Sequence, residues 1–379
     1  MKRTIIILCV LALLCAPVRA AELAERAPSC ILMDAATGTV LYEKEAHTRL
    51  APASVTKVMT LLLVMEALDS GAIGWDDMVT ASDHAAGKGG SQIYLEPGEQ
   101  MGMEDMLKSV VVSSANDCAT ALAEHVAGSE SAFVERMNQR AQELGMNDTH
   151  FVNCTGLDDG ADAGEHLTSA YDIAVMSREL LSHEAIKSYT TIWMDTVRNG
   201  AFGLSNTNKL VRFYDGATGL KTGFTSSAGY CLSASAKRDG MELIAAVMHC
   251  ETSADRFGAA KELLDYGFAN YATVSPEAPT REVPVRLGSE EALLPVPESM
   301  TPVLINKADR ASVRQEVELP EEVSAPIEAG QQIGTLHIYA GDALLSDVPL
   351  VSPCNIPRLT LWQLTKALLD GVCFGKKQE

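Results

Sequence analysis

Apolar positions recur along the chain at two different spacings, which predict a mixture of helices and strands. The longer runs have helical spacing and begin near polar or proline residues, whereas the shorter runs alternate and are separated by turn residues. The predicted helices are Ser54–Leu68, Glu104–Ser113, Ala115–Ala127, Ser131–Leu144, Thr168–Leu181 and Arg256–Tyr271. The predicted strands are Cys30–Met33, Thr39–Tyr42, Gly219–Thr225, Gly229–Lys237 and Met241–Cys250. This order predicts an α+β domain over residues 21–275, an antiparallel sheet backed by helices with a helical subregion inserted.

A second domain is predicted after a proline-containing stretch. Pro276 and Pro279 mark a boundary between residues 275 and 280. Beyond it, short alternating segments rich in Val and Pro follow one another up to Val351. We therefore predict a small all-β domain over residues 280–351.

The two ends of the chain carry segments of special character. Residues 1–20 combine Lys2 and Arg3 with a short apolar run and end in Val18-Arg19-Ala20, a pattern typical of a cleaved signal peptide. This predicts a protein secreted across the cytoplasmic membrane. Residues 356–379 contain a Leu-rich amphipathic segment that includes Trp362, which favours either a membrane-surface helix or a terminal helix packed on its own domain.

Composition excludes some classes of function. The 379 residues have a formal net charge of -20, which argues against binding to nucleic acid because phosphates require a basic surface. Of the nine cysteines, Cys9 and Cys15 lie in the predicted signal peptide, and no pair has CxxC spacing. We therefore expect neither a zinc site nor a disulfide framework, and predict buried free thiols.

Three short motifs carry the chemistry. The first, Ser54-Val55-Thr56-Lys57, stands at a predicted helix start. Residues three apart on a helix share a face, so the Ser54 hydroxyl and the Lys57 amine can touch. A buried lysine with a lowered pKa can activate a serine nucleophile. Alone, the pattern is also compatible with a capping serine and a surface lysine.

The other two motifs follow in the order that one site requires. Ser114-Ala115-Asn116 falls between two predicted helices, where its polar side chains can relay a proton and hold an amide, or simply cap a helix. Lys221-Thr222-Gly223 falls on a predicted strand that can pair with an extended peptide, and its glycine allows close backbone approach. Together the three motifs are those shared by class A β-lactamases and penicillin-binding proteins.

The chain resembles the D-alanyl-D-alanine carboxypeptidases among the low-molecular-mass penicillin-binding proteins. The likeness runs through the three motifs and many intervening segments. These include Gly90-Ser91-Gln92, Ala123-Glu124-His125, Leu144-Gly145-Met146, Phe151-Val152-Asn153 and Lys221-Thr222-Gly223-Phe224-Thr225. The resemblance implies a β-lactamase/transpeptidase-like catalytic domain over 21–275, followed by a small β-domain and a terminal amphipathic anchor. Ala115 departs from the family's usual glycine, and we expect little effect.

The resemblance also implies roles for individual residues. Ser54 would be the acylated nucleophile, Lys57 its general base and Ser114 the proton relay. The substrate-binding residues would be Asn116, Lys221, Thr222, Gly223, Phe224, Thr225 and Arg256, with the backbone N–H groups of Ser54 and Phe224 forming an oxyanion hole. The implied substrate is a peptidoglycan stem peptide ending in D-Ala-D-Ala, β-lactams are the implied inhibitors, and neither a metal nor an organic cofactor is expected.

Three alternative functions remain open from the sequence. A β-lactamase would need a glutamate before the last motif, for which Glu165 is a candidate. A DD-endopeptidase or transpeptidase would use the same catalytic residues, and a non-catalytic peptidoglycan-binding protein would keep the fold without turnover. The histidines His47, His84, His125, His166 and His249 lack metal spacing and are predicted to be ordinary polar or core residues. Lys88–Ser91 is either a loop over the site or a solvated turn.

Overall fold

The structure is a computed structural model that describes residues 22–158, 160 and 162–374. These residues divide into two compact units. The first contains residues up to Met33, Val40–Lys237 and Glu242–Tyr266, and the second contains Asp34–Thr39, Arg238–Met241 and the residues from Gly267 onward. The predicted signal peptide, residues 1–20, lies outside the described part of the chain.

A five-stranded sheet forms the centre of the first unit. Its strands lie in the order β2–β1–β9–β8–β7, so that β7 is an edge strand. The strands of this unit are β1 (Ser29–Asp34), β2 (Val40–Lys44), β3 (Met78–Thr80), β4 (Gln100–Gly102), β5 (Met194–Val197), β6 (Phe202–Ser205), β7 (Ala217–Thr225), β8 (Gly229–Arg238) and β9 (Met241–Cys250). β7 pairs antiparallel with β8, and β1 pairs antiparallel with β2. Every residue of β1 and most residues of β8 and β9 are buried, as expected for strands covered on both faces.

The helices of the first unit follow the predicted pattern with shifted ends. They are α1 (Lys57–Asp69), α2 (Asp83–Ala86), α3 (Met103–Ser113), α4 (Asn116–Ala127), α5 (Glu130–Glu143), α6 (Ala170–Ser182), α7 (Lys187–Thr190), α8 (Leu210–Phe213) and α9 (Ser253–Asn270). α1 is buried over nearly its whole length and contacts α4, α6 and β7. Ser54 was expected inside this helix but lies in a separate 3-10 turn, Ala53–Thr56. The predicted closing helix ends at Asn270, because Tyr271 begins a strand.

The second unit is built mainly from strands. They are β10 (Tyr271–Val274), β11 (Val283–Arg286), β12 (Ala292–Leu293), β13 (Val296–Pro297), β14 (Val303–Asn306), β15 (Val313–Glu318), β16 (Val323–Ser324), β17 (Gln332–Ala340) and β18 (Ala343–Val351). β15, β17 and β18 form an antiparallel sheet around Leu336, Ile338 and Leu350. β10 pairs with β14, which places it in this unit.

The terminal helix of the second unit, α10 (Leu361–Phe374), begins later than predicted. Ile356 was expected in it but forms a bridge with Ile327 and is buried. At the start of α10, Leu361 and Trp362 are 84% and 78% exposed. Among the described residues, no helix has both the length and the apolar character needed to cross a membrane.

The cysteine prediction is confirmed for most of the described thiols. Cys30, Cys118, Cys154, Cys231 and Cys250 are free and buried. Cys354 is free but exposed, so the expectation of burial is wrong at that position.

Candidate active site

Ser54 lies in the 3-10 turn directly before the buried helix α1, Lys57 is the first residue of α1, and their side chains are in contact. Lys57 Nζ donates to Ser54 Oγ at 2.9 Å and to the carbonyl oxygen of Thr155 at 2.7 Å. Ser54 is half-buried, whereas Lys57 is completely buried. The arrangement therefore places an amine beside a serine hydroxyl that is still within reach of a substrate.

The environment of Lys57 changes its proton affinity. Burial lowers the pKa of the Lys57 amine from 10.5 to about 7, because desolvation disfavours the ammonium form. A substantial fraction of the amine is then neutral near pH 7. A neutral amine at hydrogen-bond distance from a hydroxyl can accept its proton.

A second buried lysine lies on the edge strand β7. Lys221 is 1% exposed and donates to the carbonyl oxygen of Thr222 at 2.9 Å. Burial lowers the pKa of Lys221 well below its usual value, and the positive charges of Lys57 and Arg256 lower it further. Repulsion between the two lysines thus disfavours a state in which both are ammonium ions. Thr222 is also buried, and its hydroxyl donates to Thr207 Oγ1 at 2.7 Å.

Gly223 brings β7 against the turn that holds Ser54. A Cβ atom at this position would lie 2.5 Å from the Pro52 carbonyl oxygen and 3.1 Å from the Ser54 backbone nitrogen. Only glycine fits such a close approach of two backbones. The N–H of Ser54 and the end of β7 are therefore neighbours, as an oxyanion hole built from Ser54 and Phe224 requires.

Ser114 and Asn116 lie at the junction of α3 and α4 and do not cap α4 through their side chains. Ser114 ends α3 in the left-handed conformation, with φ of 64°, and is buried. Asn116 is the first residue of α4 and donates from Nδ2 to the Gly89 carbonyl oxygen at 2.7 Å. Its Oδ1 atom is buried and has no hydrogen-bond partner among the described residues, which leaves an acceptor for a substrate N–H.

The remaining predicted residues surround the end of β7. Phe224 is 52% exposed, and its ring packs against Tyr230 with centroids 4.3 Å apart. The Thr225 hydroxyl accepts from the backbone N–H of Ala228 at 3.1 Å. Arg256 Nη1 donates to the carbonyl oxygens of Gly223 and Cys231 at 3.0 and 3.3 Å. The Arg256 side chain therefore binds backbone carbonyl groups of β7 and β8.

Several neighbours of the site were missed by sequence reasoning. Two of them, Thr155 and Gly89, contribute backbone carbonyl groups, and Thr207 contributes a hydroxyl. No sequence motif distinguishes such groups. His166, predicted to be an ordinary polar or core residue, is buried in agreement with the core interpretation; its Nε2 lies 2.7 Å from Thr56 Oγ1, and its Nδ1 accepts from the N–H of Val152. The segment Lys88–Ser91 contacts the candidate site, because the carbonyl oxygens of Gly89 and Ser91 accept from Asn116, while Gly89 and Ser91 are also exposed.

Comparison with known families agrees with this geometry. The sequence pattern described as D-alanyl-D-alanine carboxypeptidase matches residues 16–252, which is more than half of the chain. The chain belongs to the D-alanyl-D-alanine carboxypeptidase family. The pattern described as penicillin-binding protein 5, C-terminal domain, matches residues 268–358 and supports the predicted all-β domain.

Individual members of the carboxypeptidase family align over most of the chain. The D-alanyl-D-alanine carboxypeptidase DacF of Bacillus subtilis is 42% identical over 341 residues, covering 88% of this chain and 87% of that protein. The crystal structure of penicillin binding protein 5 from Haemophilus influenzae is 29% identical, with a TM-score of 0.73 over 90% of this chain and 100% of that chain. The predicted fold class is therefore confirmed.

A third relative was crystallised with an antibiotic. Penicillin-binding protein D2 from Listeria monocytogenes, in its ampicillin-bound form, is 30% identical with a TM-score of 0.59. The match covers 66% of this chain and 99% of that chain.

Proposed function

We propose that the protein is a serine-type D-Ala-D-Ala carboxypeptidase that removes the terminal D-alanine of peptidoglycan stem pentapeptides. The observation that carries the proposal is the 2.9 Å contact between Lys57 Nζ and Ser54 Oγ, beside a strand edge bearing Lys221 and Thr222. Family membership supports the same reaction. A peptide ending in D-Ala-D-Ala presents a terminal carboxylate and a reactive carbonyl, which are the two groups that this arrangement can bind and attack.

Acylation begins when Ser54 Oγ attacks the carbonyl carbon of the penultimate D-Ala. Neutral Lys57 accepts the hydroxyl proton, and the N–H groups of Ser54 and Phe224 stabilise the oxyanion. Collapse of the tetrahedral intermediate breaks the peptide bond. The leaving amine takes up a proton through Ser114, and the terminal D-Ala departs.

The substrate is held at both sides of the reacting carbonyl. Lys221, Thr222 and Thr225 bind the terminal carboxylate, and Asn116 Oδ1 accepts from a substrate N–H. When the carboxylate arrives it favours the ammonium form of Lys221, and repulsion then favours the neutral, basic form of Lys57. Arg256 donates to the Gly223 carbonyl and so holds the backbone of β7 in position. Hydrolysis by water releases the shortened peptide and restores Ser54.

Product analysis tests the proposal. After incubation with a stem pentapeptide, mass spectrometry is expected to find a tetrapeptide and free D-Ala, with no products from a Ser54→Ala variant. Cleavage of cross-linked dimers without D-Ala release would indicate an endopeptidase and contradict the proposal. Absence of any cleavage would favour the non-catalytic alternative.

A β-lactamase is disfavoured by the position of its candidate base. Glu165 is exposed and lies in a short 3-10 turn, Ala163–Glu165, and is not buried beside Ser54. We propose instead that β-lactams acylate Ser54 and are released slowly. The ampicillin-bound relative supports this behaviour.

We propose that the protein acts outside the cytoplasm, at the membrane surface, and that α10 makes the contact with lipid. The exposed side chains of Leu361, Trp362 and Leu369 support this, because such residues favour the membrane interface. The protein is expected to float with vesicles of neutral phosphatidylcholine, and a double variant with Leu361 and Trp362 changed to Ser is expected to bind at least about fivefold more weakly. Equal flotation of both proteins would contradict the role of α10.

A further inference from the structure

Glu130, the first residue of α5, is a charged residue of the first unit to which neither the motifs nor the proposed mechanism gives a role. Its side chain is only 12% exposed. Oε2 lies 2.6 Å from Lys88 Nζ and 2.6 Å from His84 Nε2. Oε1 accepts from the backbone N–H and the thiol of Cys154, each at 3.2 Å. The carboxylate therefore connects two loops that are far apart in sequence.

One of these loops accepts a hydrogen bond from the proposed general base, Lys57 of α1. Cys154 and Thr155 are consecutive, and the Thr155 carbonyl accepts from Lys57 Nζ at 2.7 Å. The Cys154 carbonyl accepts from the hydroxyl of Thr60 at 2.6 Å. Lys57 and Thr60 are three residues apart on one face of α1. The position of the Cys154–Thr155 backbone thus determines where the amine of Lys57 is held.

The other loop accepts hydrogen bonds from Asn116, the proposed amide-binding residue at the start of α4. Lys88 precedes Gly89, whose carbonyl accepts from Asn116 Nδ2 at 2.7 Å. Ser91, in the same loop, accepts from the backbone N–H of Asn116 at 2.7 Å. Movement of Lys88 would therefore change the orientation of the Asn116 carboxamide and of its unpartnered Oδ1.

We propose that Glu130 is a positioning residue that fixes both loops, and through them Lys57 and Asn116, in the geometry required for acyl transfer. The inference rests on the proposed function, since it assigns a task to a residue that touches neither Ser54 nor the substrate. Glu130 together with Lys88, His84 and Cys154 forms what we call the clamp.

The charge of Glu130 is maintained by its surroundings. Burial alone would raise its pKa, but the hydrogen bonds from Lys88 and His84 outweigh burial and lower the pKa to about 2. Its place at the start of α5 also favours a negative charge. Hydrogen bonds between charged partners are roughly twice as strong as neutral ones. An uncharged side chain of the same shape would hold Lys88 and His84 less firmly.

Kinetics of a Glu130→Gln variant test the clamp. With a stem pentapeptide as substrate, kcat is expected to fall about tenfold because Lys57 is displaced, and KM to rise about threefold because Asn116 is displaced. Acylation by benzylpenicillin should slow by a similar factor. The matched control is Glu135→Gln, which changes an exposed glutamate of the same helix and is expected to leave kcat and KM within about twofold of the unmodified protein.

A second variant separates the two loops and allows for a Glu130 variant that folds poorly. Lys88→Met removes the contact on the Asn116 side but leaves that with Cys154, so KM should rise with little change in kcat. All assays are run well below the unfolding temperature of each variant. Unchanged kcat and KM in Glu130→Gln, with only a lower unfolding temperature, would overturn the inference.

The same measurements distinguish failure of the clamp from failure of the proposed substrate. If the unmodified protein is acylated by benzylpenicillin but releases no D-Ala, the proposed substrate is wrong, and slower acylation of Glu130→Gln still supports the clamp. If the unmodified protein is not acylated at all, both proposals are overturned. Normal D-Ala release by both proteins supports the function and overturns the clamp.

Discussion

Replacement of Lys57 by methionine is expected to slow acylation of Ser54 by about a thousandfold, within the range attributed to a positioned general base. Methionine fills a similar buried volume, so the helix should remain packed. It has no amine to accept the proton of Ser54 Oγ, which Lys57 Nζ approaches to 2.9 Å. The rate at which benzylpenicillin adds to the protein, followed by intact mass spectrometry, measures the effect.

The unmodified protein should also show the pKa of Lys57 in its pH profile. Because burial lowers that pKa to about 7, the amine is neutral above this pH and becomes an ammonium ion below it. The acylation rate should therefore fall as the pH is lowered through about 7 and level off above it. Lys108→Met, which changes a lysine on α3 that pairs with Asp105, serves as the control and should keep this profile. A pH-independent rate, or a Lys57→Met variant acylated at the normal rate, would show that another group is the base.

Replacement of Gly156 by alanine is expected to destabilise the fold by about 3 kcal/mol or more, and to reduce acylation about a hundredfold. Gly156 has a φ of +80°, which is unfavourable for alanine. An added Cβ would also collide with the carbonyl group of Ala53 and lie 2.7 Å from Thr56 Oγ1. Both residues belong to the 3-10 turn that holds Ser54, so relief of the collision must move the nucleophile.

Gly98→Ala is a matched control for the glycine variant. Gly98 also has a φ of +80°, but no atom of the described residues lies within 4 Å of an added Cβ. It should therefore lose only about 1–2 kcal/mol, the cost of the backbone conformation, with little change in acylation. Denaturant unfolding and penicillin acylation measure the two effects. If both variants are affected equally, the contact between Gly156 and the turn does not position Ser54.

The part of the site that could be predicted from the sequence depends on local geometry. Residues three apart near a helix start share a face, which is why the contact between Ser54 and Lys57 could be predicted from the sequence. Such a relation needs only the spacing along one element, and the structure shows the contact, with Ser54 in a 3-10 turn directly before the helix. For Gly223 the sequence predicted close approach of a substrate peptide, whereas the structure places the turn that holds Ser54 against this glycine.

The part of the site that could not be predicted from the sequence depends on tertiary contacts. Glu130 meets Lys88 and Cys154 across 42 and 24 residues of sequence, and no periodic pattern links them. The carbonyls of Thr155 and Gly89 belong to the backbone, so side-chain identity gives no signal for their roles. Helix ends shifted where a short strand follows directly, as at Tyr271, because an apolar segment fits both structures.

The most direct test is intact mass spectrometry of the mature protein after exposure to benzylpenicillin, followed by peptide mapping. We predict a stable adduct of one drug molecule on Ser54, and no adduct on a Ser54→Ala variant. Rapid hydrolysis of the drug without a lasting adduct would contradict the carboxypeptidase proposal and favour a β-lactamase. An adduct at another residue, or none without hydrolysis, would contradict the assignment of Ser54 as the nucleophile.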